Sequence, residues 1–248
     1  MNKIAAVYSG SKWQNDLFHS EKYHSFFDSI LHACDLPKRD FCAFDVLVIP
    51  RESNQEMLLA VKDKINQFLE SGGLVISFGE ITRPWLPGCV WEQKDPRFKF
   101  YGTEQEPQLV NYYGRCVWDK GKLDDRPYKL IKPDHPLFKG LEIKDLQWHF
   151  HGIFHAPEEA EVLLKYGAEA DIIYLDYRSY PPGIILATTL DPEVHAGYGV
   201  VKKTQKFLDN VLHWARTHTR RGDSVKNLKA PGRRHLISEP ASDQSVSD

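Results

Sequence analysis

Apolar residues along the first third of the chain fall into short blocks separated by turn residues. Lys3 to Tyr8 is a brief apolar run ending in Ser9-Gly10-Ser11, which predicts a strand and then a turn. Ser20 can cap a helix in which Tyr23, Phe26, Phe27, Ile30 and Leu31 fall at helical spacing. Phe44 to Pro50, "FDVLVIP", is a continuous apolar run of the kind found in strands covered on both faces. Ser53-Asn54-Gln55-Glu56 reads as a capping box in which Ser53 accepts from the Glu56 amide. Leu58, Val61, Ile65, Phe68 and Leu69 then line one helix face. Gly72-Gly73 stops that helix, and Leu74 to Phe78 forms another buried strand. Strand, helix, strand, helix, strand with short connections predicts a doubly wound α/β fold, with a mostly parallel sheet and helices on both faces. Ligands of such sheets bind beyond the carboxyl ends of the strands. That singles out the loops Ser9 to Trp13, Arg51 to Asn54 and Gly79 to Arg83.

The pattern breaks from Glu80 to Arg126, where Trp85, Trp91, Phe98, Phe100, Tyr101, Tyr112, Tyr113 and Trp118 lie among prolines, glycines and charges. An irregular insertion packed on the sheet is expected there in preference to a mobile cover over the loops just named, because so many exposed aromatics would aggregate. Order returns at "PYKLIKP", "EVLLKY", "DIIYLDY" and "GIILATT", the last two joined by "RSYPP" as adjacent strands. A final helix is predicted from about Val200 to Arg216, with Phe207, Leu208, Val211, Leu212 and Ala215 inward. Residues 1–216 thus read as one domain. Residues 217–248 read as a disordered tail, basic at first and then rich in serine and aspartate.

Composition narrows the picture only slightly. The 248 residues are 42% hydrophobic and 27% charged, with a formal net charge of -2. That balance supplies no general attraction to nucleic acid or anionic membrane, although the basic start of the tail leaves room for a weak contact. No run approaches the roughly 20 apolar residues of a membrane span, and the start lacks the pattern of a signal peptide. A cytoplasmic protein is expected. Cys34, Cys42, Cys89 and Cys116 contain no CxxC pair, so neither a zinc ribbon nor a redox motif is indicated. They are expected to be buried or half-buried.

Three stretches resemble the class I glutamine amidotransferase-like superfamily, a flavodoxin-like fold, and within it the trehalose-utilisation (ThuA-like) branch. "FDVLVIP" with the later "FLESGGLVISFG" resembles the passage into that family's central loop. "DHPLFKGL", Asp134 to Leu141, is similar to its His-Pro-x-x-x-Gly-Leu turn. "GIILATTLDPEVHAGYG" and "FLDNVLHWA" resemble its closing strand, Asp/His-bearing loop and final helix. The resemblance implies a small polar ligand, of carbohydrate origin if the branch is followed. One departure outweighs the matches. A working amidotransferase of this class carries a nucleophilic cysteine on the sharp turn after the third strand of such a count, where backbone amides stabilise the oxyanion. Here that stretch reads "VISFGE" and holds no cysteine; Cys89 lies ten residues beyond Gly79. Ser77 is no substitute, because Val75 stands where a Gly-x-Ser-x-Gly elbow needs its first glycine. Glutaminase chemistry is not expected.

Other residues could carry chemistry. "DPEVH" places Asp191, Glu193 and His195 after an apolar strand; a His–carboxylate pair can act as a base with its orienter or as two metal ligands. The structural alternative makes Asp191 a turn cap, with Glu193 and His195 in solvent. Glu80 sits beyond Gly79, where the family's active loop would be. Arg51 opens "RESN", which replaces the glycine-rich turn forming half of the amidotransferase oxyanion hole, and could meet an anionic ligand. Ser9 and Gly10 suit close backbone approach but match no phosphate-binding frame. If residues 147–155 are extended, Gln147, His149, His151, Ile153 and His155 share one face, while Trp148, Phe150 and Phe154 share the buried other. His149 and His151 could then converge on a divalent metal, although architecture without a metal explains the pattern more simply. Three readings follow: a non-glutaminase domain binding a small molecule, a metal- or His/Asp-dependent hydrolase, and a protein-interaction module. A homo-oligomer stays open.

Overall fold

β1 (Ile4–Tyr8) lies inside the sheet, paired in parallel with β2 (Ser29–His32) on one side and β3 (Val46–Ile49) on the other. The computed structural model describes residues 1–93, 128–146, 150, 152–167 and 170–218. β3 pairs with β4 (Leu74–Phe78), and β4 with β10 (Ile184–Thr188), again in parallel. Every residue of β3, β4 and β10 is buried, as continuous apolar runs require when helices cover both faces. Beyond β10 the sheet continues antiparallel. β9 (Ala170–Asp176) pairs with β10 across the Arg178–Pro182 turn, and then with both β7 (Gly152–His155) and β8 (Glu161–Tyr166). β5 (Val90–Gln93) and β6 (Tyr128–Leu130) complete ten strands. The α/β class and the parallel half match the sequence pattern. Met1–His218 is one compact unit, and Thr219–Asp248 lies outside the described residues. None of the helices among the described residues is long and apolar enough to cross a membrane.

Alternation along each central strand feeds two apolar layers. Ile4, Ala6, Val46, Val48, Leu74, Ile76 and Leu186 face one side with the inner stripe of the last helix. Ala5, Val7, Leu47, Ile49, Val75, Ile185 and Ala187 face the other, against Leu58, Ile65, Phe68 and Leu69. Ser77 belongs to β4 and is 1% exposed, a buried strand serine.

Several elements differ from the expectations. No helix starts at Ser20. Instead α1 (Lys12–Phe18) buries Trp13, Gln14, Leu17 and Phe18, a 3-10 turn spans His24–Phe26, and Ile30 and Leu31 belong to β2. Parallel pairing with β1, Ala6 opposite Ile30 and Val7 opposite Leu31, overrides the helical spacing. The cap of α2 (Gln55–Ala60) is Asn54, whose side chain accepts from the Met57 amide, while the Ser53 hydroxyl donates back to Pro50. A break at Val61 (φ -115°, ψ 16°) separates α2 from α3 (Lys62–Glu70).

The stretch expected to form a half-buried strand is shorter and covered on both faces. Leu146 ends α4 (Ile143–Leu146), and β7 begins at Gly152. Phe150 joins Ile153 in one apolar layer and Phe154 lies in the other, so the two phenylalanines do not share a face. His155 is exposed and meets Glu92 at 3.0 Å. His149 and His151 lie outside the described residues, as does the insertion from residue 94 to 127. Cys34 and Cys42 are exposed rather than buried, because both sit on short 3-10 turns at the surface; Cys89 is half-buried.

Candidate functional site

Three strand ends and their loops build the candidate site. β3 ends at Ile49, and the chain turns through Pro50 into Arg51. Glu52 then takes a left-handed conformation, φ 62°. That turn, unusual for a residue with a side chain, leaves Arg51 free to reach across the ends of β4 and β10. β4 ends at Phe78, and Gly79 follows with φ 74°, its amide donating to the Thr188 carbonyl at the end of β10. After β10, Asp191 precedes α5 (Pro192–Gly197), whose only turns carry Glu193 and His195.

Arg51 is the centre of this arrangement. Its Nε donates to both oxygens of Glu80 at 2.9 Å, and Nη1 donates to Asp191 Oδ2 at 2.6 Å. Its backbone amide donates to Glu193 Oε1 at 2.9 Å. Asp191 Oδ1 lies 3.4 Å from His195 Nε2. Arg51 is 8% exposed, Asp191 0%, Glu193 1% and His195 4%. Asp191 therefore does not cap α5; its carboxylate is turned to the guanidinium, and Glu193 and His195 are not in solvent.

Charge accounting explains why the cluster survives burial. Burial alone would lower the arginine pKa, but Asp191 and Glu80 outweigh it and hold Arg51 firmly cationic. Glu193 is displaced the other way. Burial, with Asp191 close by, pushes its carboxyl well above the ordinary range, despite the hydrogen bond from the Arg51 amide. Its Oε2 has no hydrogen-bond partner among the described residues. Burial thus favours the neutral form of Glu193, while Asp191 and Glu80 are the carboxylates that face the guanidinium.

The guanidinium stem also fills space. A Cβ on Gly79 would come within 2.5 Å of Arg51 Cγ and 2.8 Å of Arg51 Cβ. Arginine thus packs directly on the turn after β4, where an amidotransferase of this fold would present its nucleophile. Chemically the cluster is a buried ion-pair network with a His–carboxylate pair at its base. Among the described residues no group of three or more His, Cys, Asp and Glu could hold a metal ion.

Ser9 and Gly10 lie on the adjoining loop, between the ends of β1 and β3, and are taken up by loop-to-loop stitching. Ser9 Oγ accepts from the Asn54 amide at 3.0 Å, and the Ser9 amide donates to Gln14 Oε1 at 2.8 Å. Gln14 in turn donates to the Arg51 carbonyl at 3.1 Å, and Trp13 Nε1 donates to Glu52 at 2.7 Å. Gly10 has φ 97° and open space around it. The structure therefore brings Arg51, Gly79, Glu80, Asp191, Glu193 and His195 together and sets Ser9 and Gly10 beside them. Sequence reasoning placed Trp13 and Glu52 in the loops it singled out without giving either a role, and it missed Gln14. Trp13, Leu17 and Phe18 at i, i+4 and i+5 were the available helical signal.

Neither the protein-family models nor the curated proteins contain a match to this chain. Solved structures do. A Thermoplasma acidophilum protein described as a GMP synthase subunit is similar at 12% identity, over 88% of this chain and 96% of that one, with a TM-score of 0.51. A ThuA-like protein from Bacteroides uniformis covers 86% of this chain and 90% of its own at 15% identity, TM-score 0.43. A Thermotoga maritima glutamine amidotransferase covers 85% and 82% at 11% identity, TM-score 0.44. At these identities the likeness is one of fold alone: the chain has a flavodoxin-like α/β fold, shared with the Thermoplasma protein.

Proposed function

We propose that this chain, an amidotransferase-like fold with no cysteine on the turn after β4, is a non-glutaminase domain that holds a small polar ligand at the carboxyl edge of its sheet. One observation carries the reading: the Arg51 side chain packs on Gly79 under the grip of Glu80 and Asp191. A thiol on that turn would run into the aliphatic stem of Arg51, so the edge is suited to binding and not to amide hydrolysis. The resemblance of the sequence to ThuA-like proteins adds carbohydrate-derived molecules to the first ligands to try.

The test combines a glutaminase assay with a thermal-shift screen of small polar metabolites. The expected result is no ammonia released from glutamine, together with a ligand that raises Tm in proportion to the logarithm of its concentration. Glutamine turnover above the blank would sink the reading.

A second reading rests on the 3.4 Å pair of Asp191 and His195. A buried imidazole beside a carboxylate has the composition of a general base and its orienter. In this reading the domain is a hydrolase, and His195→Ala abolishes turnover while leaving the fold intact. Against it stands Asp191's second partner, Arg51, which neutralises the carboxylate that would have to support an imidazolium.

A further inference from the structure

The carboxyl edge has a second side. Across α1 from the Arg51 cluster, the ends of β1 and β2 form a cleft of about 200 Å³ lined by Tyr8, Asn15, Phe18, His19, Ile30 and His32. The parallel register sets Tyr8 opposite His32 and Ala6 opposite Ile30, so Tyr8, Ile30 and His32 rise on one face. α1 contributes Asn15 and Phe18, and its C-cap His19, from the opposite wall. The rings stand edge-on to one another: Tyr8 to His32 at 5.0 Å and 76°, Tyr8 to Phe18 at 6.4 Å and 81°.

This cleft is an open part of the edge. Over β3, β4 and β10 the described polar side chains are engaged in the ion pairs of Arg51, and Trp13–Glu52 and Ser9–Asn54 bridge the ends of β1 and β3. In the cleft, by contrast, polar groups stand ready. Neither the Tyr8 hydroxyl nor a ring nitrogen of His32 has a hydrogen-bond partner among the described residues, and His19 uses only Nδ1, on the Asn15 carbonyl.

We infer that this cleft is the seat of the ligand, and that it takes an uncharged, single-ring polar molecule. The inference rests on the binding reading above and gives it a location and a chemistry. Size limits the ligand to one ring, since sites for drug-sized molecules start near ~300 Å³. None of the six lining side chains is permanently charged, so a charged ligand would lose hydration without gaining a counter-ion. Phe18, Ile30 and the ring of Tyr8 supply apolar contact. The Tyr8 hydroxyl, Asn15 and the imidazoles supply donors and acceptors at the rim.

The experiment follows histidine and tyrosine ring resonances by NMR in full-length protein labelled on those residues. Four probes are titrated: nicotinamide (planar, uncharged), glucose (saturated, uncharged), nicotinate and glucuronate (their charged counterparts). The expected result is saturable shifts of Tyr8, His19 and His32 with one or both uncharged probes. The matching charged probe should bind at least tenfold more weakly. Tyr8→Phe keeps the ring and should weaken binding severalfold, and His32→Ala should weaken it further, with both variants unchanged in Tm. The planar and saturated arms tell which ring type fits. Equal or tighter binding of the charged probes overturns the chemistry. Binding that shifts His195 and leaves Tyr8 and His32 unmoved overturns the location while leaving the edge-binding reading standing. No shift with any probe overturns the inference for this cleft, whereas the binding reading itself falls only with glutamine turnover.

Discussion

Arg51 is the residue on which most of the site depends. Removing it leaves Asp191, which is fully buried, without its cation. Arg51→Met should therefore destabilise the fold by about 3–5 kcal/mol. Arg51→Lys should recover only part of that, because an ammonium cannot span Glu80 and Asp191 in the guanidinium's geometry. Urea denaturation of the two variants reads both effects. Glu193 makes a prediction of opposite character. Its folded pKa lies above the unfolded value, so its contribution to stability is complete below the ordinary carboxylate pKa of 4.5. That contribution declines as pH rises through the window up to the raised value. Glu193→Gln keeps an acceptor for the Arg51 amide and removes the titration. The variant should gain on the wild type as pH rises above the ordinary carboxylate range in equilibrium denaturation; a difference that stays constant with pH there would overturn the raised pKa. These roles were half legible. Arg51, Glu80, Asp191, Glu193 and His195 were identifiable because each follows an apolar strand of an α/β sheet. Their burial was not, since a Pro-Glu-Val-His stretch looks equally plausible in solvent until α5 is packed on α1.

At the scale of elements, strands with all residues apolar were readable and short mixed segments were not. β3, β4 and β10 were readable from runs that no other element explains. α1 escaped because its apolar residues, Trp13, Leu17 and Phe18, complete only two turns. β2 escaped because Tyr23, Phe26, Phe27, Ile30 and Leu31 fit helical spacing as well as the turn and strand they form. The choice there is made by hydrogen bonds to β1, which no local pattern encodes. The cap of α2 offers a direct check. Asn54→Ala should cost about 1 kcal/mol through loss of the bond to the Met57 amide. Ser53→Ala removes only the bond to Pro50 and should not release the helix terminus. Far-UV circular dichroism with thermal melts distinguishes the two; equal losses would place the cap at Ser53 after all.

The whole molecule divides by how the sheet is covered. The parallel half has its central strands buried on both faces, whereas β5 and β6 lie at the ends of the antiparallel half. Amide exchange should accordingly be slowest in β3, β4 and β10 and faster by orders of magnitude in β5 and β6. Uniform protection across all ten strands would contradict that. The α/β class was legible because crossovers leave alternating strand and helix patterns. The antiparallel extension was legible only at β9–β10, where a short Pro-rich turn forces adjacent strands. Pairing of β5 with β7, Trp91 against Phe154 and Glu92 against Ile153, joins distant parts of the chain and leaves no local trace.

The contact between Gly79 and Arg51 has a consequence for how this protein can change. Any side chain introduced at Gly79, a cysteine included, begins 2.5 Å from the arginine stem on a backbone with φ 74°. Moving Arg51 aside to admit it strands Asp191, and removing Asp191 as well takes the carboxylate away from His195. Each step toward a nucleophile must be preceded by one that weakens the fold. On the reading proposed above, a nucleophile on this turn is therefore separated from the present sequence by a valley at least three substitutions wide.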